Sequence, residues 1–158
     1  MNRVGVIGAS KPTEQDAENA FKVGEILASS GVAIVCGGLT GVMESVCKGA
    51  KVHGGVTIGI LPSEDPGDAN PYVDIPIPTG FGTGRNILVV RASDVLIAIG
   101  GGTGTLSEIA FALNSGKVVI GLGTWDIRKM GLDHPNFIPA TSPEDAAQKA
   151  LKYLKTVK

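Results

Sequence analysis

The sequence predicts an open, doubly wound (Rossmann-like), mainly parallel α/β sheet with helices on both faces, and three observations carry that expectation. Short apolar runs rich in Val and Ile recur along the chain without strict alternation of polar residues. Continuous apolar strands are what a parallel sheet buried on both faces requires. Helical spacing patterns separate these runs, which is the alternation that builds such a sheet. Glycine-bearing turns follow three of the runs directly, at the edge where sheets of this class bind ligands.

The strand candidates are "VGVIG" at 4–8, "VAIVC" at 32–36, "VTIGIL" at 56–61, "VLIAI" at 95–99 and "VVIGL" at 118–122. The first helical stripe is Ala17, Ala20, Phe21, Gly24, Leu27 and Ala28, preceded by Thr13 and Asp16 at the spacing of a capping box. A second stripe is Met43, Val46, Cys47 and Ala50, and a third is Leu106, Ile109, Ala110 and Leu113. The last helix opens at "TSPED", where Ser142 suits the N-cap and Pro143 the first helical position. Its inner face is Ala146, Ala147, Ala150, Leu151 and Leu154. The segment "RNILVVRAS" sets four apolar residues, Ile87 to Val90, in a row. A helix apolar nearly all round wants burial on more than one side, so a homo-oligomer, a dimer at least, is expected.

The chain has 158 residues, 43% of them hydrophobic and 18% charged, with a net charge of -1. A single domain, 1–158, is expected, large enough to bury a core without disulfides or metal. The balanced charge argues against a nucleic-acid partner. Nothing approaches the roughly 20 apolar residues of a membrane helix, and no leader pattern precedes the first strand. A cytoplasmic protein with no membrane partner is therefore expected. Cys36 and Cys47 make no disulfide framework, and Cys36 reads as a buried small hydrophobe or a pocket residue.

One stretch breaks the rhythm. Val52 to Gly84 contains no Lys or Arg, and Pro62 to Pro78 holds five of the nine prolines. That density favours an ordered, extended course. Glu64, Asp65, Asp68 and Asp74 have two readings, a divalent-metal site or a solvated acidic loop, and the absence of metal-ligand spacing favours the loop. His53 and His134 are isolated, and no metal site is expected.

The three turns are "GAS" at 8–10, "GGLTG" at 37–41 and "GGGTGT" at 100–105. Helix N-termini at such turns present free N–H groups and the positive end of a dipole, which suits anions; tight turning alone is the other reading. Neither the dinucleotide fingerprint nor the P-loop ending is present. The candidate phosphate-binding residues are Gly8, Ser10, Gly37, Gly38, Thr40, Gly41, Arg85, Gly101, Gly102, Thr103, Gly104 and Thr105. Arg85 is the first cation after the long uncharged or acidic stretch, and its planar fork suits phosphate. Glu108 has two readings. With Thr105 it has the T-x-x-E spacing of a capping box, or it faces a ligand.

"GGGTGTLSE" resembles the P-G-G-x-G-T-x-x-E signature of the LONELY GUY superfamily, long misnamed lysine decarboxylases, with Gly100 in place of the proline. "CGGLTGVMESVCKGA" resembles its earlier G-G-x-x-G-x-M element, and Asn86 stands where LONELY GUY enzymes carry lysine. "GGLTGVME", "GILPSED" and "TGFGTGRN" are similar to a short branch that includes the molybdenum cofactor carrier proteins. That resemblance implies a binding or carrier protein for a small phosphorylated ligand, a nucleoside monophosphate or the molybdenum cofactor, with no resident cofactor required. It also implies a homodimer or homotetramer. The alternative it implies is a nucleoside 5'-monophosphate phosphoribohydrolase, with Arg85 and Glu108 as the catalytic pair. There a carboxylate would stabilise the oxocarbenium-like ribose as the glycosidic bond breaks. No lysine-decarboxylase motif is present.

Overall fold

The structure, a computed structural model, describes residues 1–156. Its elements run β1 (Arg3–Gly8), α1 (Glu14–Ser29), β2 (Ala33–Cys36), α2 (Val42–Lys51), β3 (Thr57–Leu61), β4 (Ile75–Pro78), α3 (Arg85–Ala92), β5 (Val95–Ile99), α4 (Thr103–Asn114), β6 (Val119–Leu122), β7 (Phe137–Ala140) and α5 (Pro143–Thr156). The seven strands form one sheet in the order β4-β3-β2-β1-β5-β6-β7, and every pairing is parallel. This is the expected Rossmann-like α/β fold.

The five apolar runs are the five inner strands. Val, Ile and Leu suit them because both faces are covered. On one face α1, α2 and α5 bury Leu27, Val46 and Ala147 against Ile34, Ile97 and Ile120. On the other, α3 and α4 bury Val89 and Ile109 against Val35, Leu96 and Val119. The order reverses at β1, which pairs with β2 on one side and β5 on the other. Crevices open at such a switch point.

Both edge strands escaped the sequence reading for one reason. β4 reads "IPIP" and β7 "FIPA". Proline cannot donate to a ladder, so it sits only at sheet edges, where it also blocks pairing with another chain. The proline-rich stretch is therefore an edge strand with ordered flanks. Asp74 is tied to Lys51 and to the Thr57 backbone N–H, and Asp65 accepts from Gly67 N–H. Thr79 donates through Oγ1 to the Leu61 carbonyl at 2.6 Å.

Helix starts follow their capping residues. Thr13 accepts from Asp16 N–H at 3.1 Å, and Ser142 accepts from Asp145 N–H at 3.0 Å. Such caps stabilise by about 1 kcal/mol each. α4 corrects the expectation in two respects. Its N-cap is Gly102, with no side-chain cap bond, so Thr105 lies inside the helix and Thr105–Glu108 is not a capping box. Gly101 sets this start: its φ of +106° turns the chain just before the helix, a conformation that favours glycine. The buried face of α4 is Thr105, Ile109, Ala112 and Leu113, and Ala110 is exposed. In α3, Val89 and Val90 are buried while Ile87 is 43% exposed. Among the described residues no helix is long and apolar enough to cross a membrane.

Candidate functional site

A cavity of about 350 Å³ opens at the switch point, between the carboxyl ends of β1 and β2 and the N-termini of α3 and α4. β1 brings Gly8 and Ser10 to it, and the turn after β2 brings Gly37. Arg85 comes from the first position of α3. Gly102, Thr103, Gly104 and Thr105 come from the start of α4, and Glu108 from one turn further along. Residues from four separate segments, 100 positions apart from Gly8 to Glu108, thus meet in one place.

Arg85 is fixed before any ligand arrives. Its Nε donates to the Ile60 carbonyl at 2.8 Å and its Nη2 to the Gly37 carbonyl at 3.2 Å, while Nη1 donates to Asn86 Oδ1. Gly37 leaves the guanidinium its place, because a Cβ there would lie 2.5 Å from Nη2 and displace it. Burial depresses the Arg85 guanidinium's affinity for its proton, and the Glu108 carboxylate opposes that loss. A partly desolvated, pre-oriented guanidinium beside free helix N–H groups is suited to an anion with several oxygens.

Glu108 shares the cavity with Arg85. Burial pushes its carboxyl up to about 7, against the pull of Arg85. At neutral pH a large fraction of Glu108 is thus an uncharged acid. It can donate a hydrogen bond there, and in that form it does not repel a phosphate.

Four of the twelve expected binding residues do not line this cavity. Gly38 packs against Leu61 and Gly59, and Thr40 donates through Oγ1 to the Ser10 carbonyl at 3.5 Å. Gly41, at φ +75°, holds the turn against β1; a Cβ there would lie 2.6 Å from the Ser10 carbonyl oxygen. Gly101 faces a neighbouring cavity. Leu39, Met43 and Asn86, none of them among the expected binding residues, also line the site. Asn86 follows Arg85 directly, and that adjacency was a signal available in the sequence. Cys36 is fully buried, 3.6 Å from Cys47 Sγ, and belongs to the core.

The family model for the SLOG cluster4 family matches residues 1–148. The chain belongs to that family. Among its relatives, an uncharacterized protein of Archaeoglobus fulgidus is 47% identical over 122 residues, 77% of this chain and 80% of that protein. Two solved structures resemble this SLOG cluster4 chain over nearly their whole length. The molybdenum cofactor binding protein of the phototrophic bacterium Rippkaea orientalis is 39% identical, with a TM-score of 0.88 over 99% of this chain and 96% of that one. The molybdenum cofactor carrier protein of Chlamydomonas reinhardtii is 36% identical, with a TM-score of 0.89 over 98% of each chain. The resemblance drawn from "GGLTGVME", "GILPSED" and "TGFGTGRN" therefore stands at the level of the branch.

Proposed function

We propose that this SLOG cluster4 protein is a binding or carrier protein for a small phosphorylated ligand, with the phosphate at the carboxyl-edge cavity. The observation that carries this reading is Arg85, held by Ile60 and Gly37 so that it lines one cavity with the N-terminus of α4. The relatives support a molybdenum-cofactor-like pterin as the cargo, since two of them are a binding protein and a carrier for that cofactor. Gly102 to Thr105 offer backbone N–H groups, Ser10 and Thr103 offer hydroxyls, and Arg85 offers the charge. None of these steps requires bond cleavage or a resident cofactor. Equilibrium binding of a phosphorylated pterin that is saturable and lost in Arg85→Ala supports this reading. Equal affinity in the wild type and the variant overturns it.

A second reading has its own observation. Arg85 and Glu108 occupy the same cavity, and Glu108 sits near neutrality. That is the arrangement a nucleoside 5'-monophosphate phosphoribohydrolase would use, the arginine on the phosphate and the carboxylate toward the ribose. Incubation with nucleoside monophosphates separates the two. Release of free base and ribose 5-phosphate, abolished in Glu108→Ala, establishes the hydrolase, whereas binding without release leaves the carrier.

A further inference from the structure

A second cavity, of about 530 Å³, lies on the other side of the glycine strip that opens α4. It is lined by Asp16 of α1, by Gly100 and Gly101 after β5, and by Trp125, Lys129 and Met130 after β6. Gly101 borders this cavity and Gly102 borders the first, so the two meet along adjacent residues.

Two of its side chains have no structural duty that uses them fully. Asp16 contributes its backbone N–H to the cap of α1, but its carboxylate has no hydrogen-bond partner among the described residues. That carboxylate lies over the ends of two strands. A Cβ on Gly100 would stand 2.5 Å from Oδ2, and one on Gly123 would stand 3.7 Å from Oδ1. Glycine at position 100, where the superfamily signature has proline, thus leaves the carboxylate its place. Trp125 donates through Nε1 to the Gly102 carbonyl at 2.9 Å, which fixes the indole against the strip. Even so it stays 38% exposed, beside Met130 at 54%. An indole held by its edge and still open to solvent is a surface for stacking.

The remaining charges decide what kind of group fits. Asp126 is already chelated by Arg128 at 2.8 and 2.6 Å, and Lys129 offsets Asp16. The cavity therefore has no net negative charge with which to hold a cation. A free carboxylate accepts best from two adjacent N–H donors in one plane, and Trp125 asks for a flat ring.

We propose that this second cavity is a ring subsite, taking a flat 2-amino-4-oxo-pyrimidine heterocycle whose adjacent ring and exocyclic N–H groups donate to Asp16 while its face lies on Trp125. The inference rests on the phosphate reading above and deepens it: phosphate and ring of one ligand lie on opposite sides of the strip Gly101–Gly102. Pterins and guanine share this edge, and adenine lacks it.

Trp125 is the single tryptophan of the chain, so its fluorescence reports this cavity, and inorganic phosphate controls for the adjoining cavity that its Gly102 bond touches. The probes are 6-hydroxymethylpterin monophosphate, guanosine 5'-monophosphate, adenosine 5'-monophosphate and inorganic phosphate, each titrated into wild type, Asp16→Asn and Arg85→Ala. Saturable quenching by the pterin phosphate, alone or together with the guanine nucleotide, supports the subsite, and the difference between those two results identifies the cargo. Asp16→Asn should then weaken the quenching ligands about tenfold or more, as expected when charge-assisted bonds are lost. Binding of adenosine monophosphate and inorganic phosphate should be unchanged in that variant. The cap of α1 uses only the Asp16 backbone, so its melting temperature should match the wild type. Arg85-dependent binding of the pterin and guanine probes with no quenching, and no effect of Asp16→Asn, overturns the ring subsite and leaves the phosphate reading intact. Failure of all four probes to bind overturns the phosphate reading, and the ring subsite with it.

Discussion

Arg85 and Glu108 line one cavity from two helices and form no salt bridge among the described residues. Burial acts on both in opposite senses. It makes the guanidinium easier to deprotonate and the carboxyl harder, and each group's charge partly restores the other's.

The pH dependence of ligand affinity follows from Glu108. Its carboxyl titrates at about 7 in the folded chain. Below that pH it is neutral beside the phosphate; above it, the ionised form repels the anion. Affinity for a phosphorylated ligand should therefore fall between about pH 6.5 and 8, and Glu108→Gln should flatten the profile. Isothermal titration across that range checks it, and an identical slope in wild type and variant refutes the assignment.

Stability should respond to the same group. The folded carboxyl is raised from 4.5 to about 7, so between those values the folded state holds a proton that the unfolded state releases. The slope of stability with pH is negative there: Glu108 costs nothing below about 4.5 and most above 7. At about 1.4 kcal/mol per pH unit over the rise from 4.5 to about 7, the full cost is at most roughly 3.5 kcal/mol. Glu108→Gln should recover part of it at pH 8 and almost none at pH 4, measured by urea unfolding.

On the proposed reading Arg85 has two jobs, holding the phosphate and satisfying two backbone carbonyls, and a pair of substitutions separates them. Arg85→Ala should reduce phosphate affinity about 10- to 100-fold, the range for losing charged hydrogen bonds. It should also lower stability modestly, since the Ile60 and Gly37 carbonyls lose their donor. Arg85→Lys keeps the charge and loses the fork. Its phosphate affinity should lie between the two, with the salt dependence of binding close to wild type.

The inner sheet was legible because strands buried on both faces must be continuously apolar, and Val4 to Gly8 or Val95 to Ile99 are short, Val- and Ile-rich runs bounded by glycine or polar turns. β4 and β7 were not, because Pro76, Pro78 and Pro139 erase the strand signal while suiting an edge. The lining of the cavity was legible in part, as glycine turns plus Arg85, since turns at a sheet's carboxyl edge need residue types that spacing displays. Leu39 and Met43 were not, because an apolar wall looks in sequence like any core residue. Glu108 was ambiguous at the level of spacing. The φ of Gly101 decided it, by starting α4 at Thr103 and removing Thr105 from the cap.

Adjacent glycines should therefore differ sharply on substitution. Gly101 sits at φ +106°, and a Cβ there would lie 2.7 Å from Thr105 Cγ2. Gly102 has nothing within contact distance of its Cβ position and an extended backbone. Gly101→Ala should cost more than about 2 kcal/mol through strain and overlap. Gly102→Ala should cost under about 1 kcal/mol in stability. Thermal melts of the two variants check the contrast, and equal losses would refute the account of how α4 starts.

The last expectation concerns assembly, and it comes from what α3 leaves uncovered. Ile87 is 43% exposed and Phe81 67% exposed, on either side of the short turn that leads into Arg85. Burying such groups against a second copy stabilises by about 1.5–3 kcal/mol for each side chain fully removed from water, and a symmetric interface doubles every such contact. Size-exclusion chromatography with light scattering should give a homodimer or homotetramer of the 16.1 kDa chain. Ile87→Glu places a charge on that face without touching the buried Val89 and Val90. It should shift the population toward monomer while leaving the far-ultraviolet spectrum unchanged. Because Asn86 and Arg85 precede Ile87 on the same helix, a monomeric variant that still binds phosphate at wild-type affinity would show that the site is complete within one chain. A wild type that runs as a monomer removes the expectation altogether, and then Ile87 and Phe81 are only singly exposed apolar residues of the kind most surfaces carry.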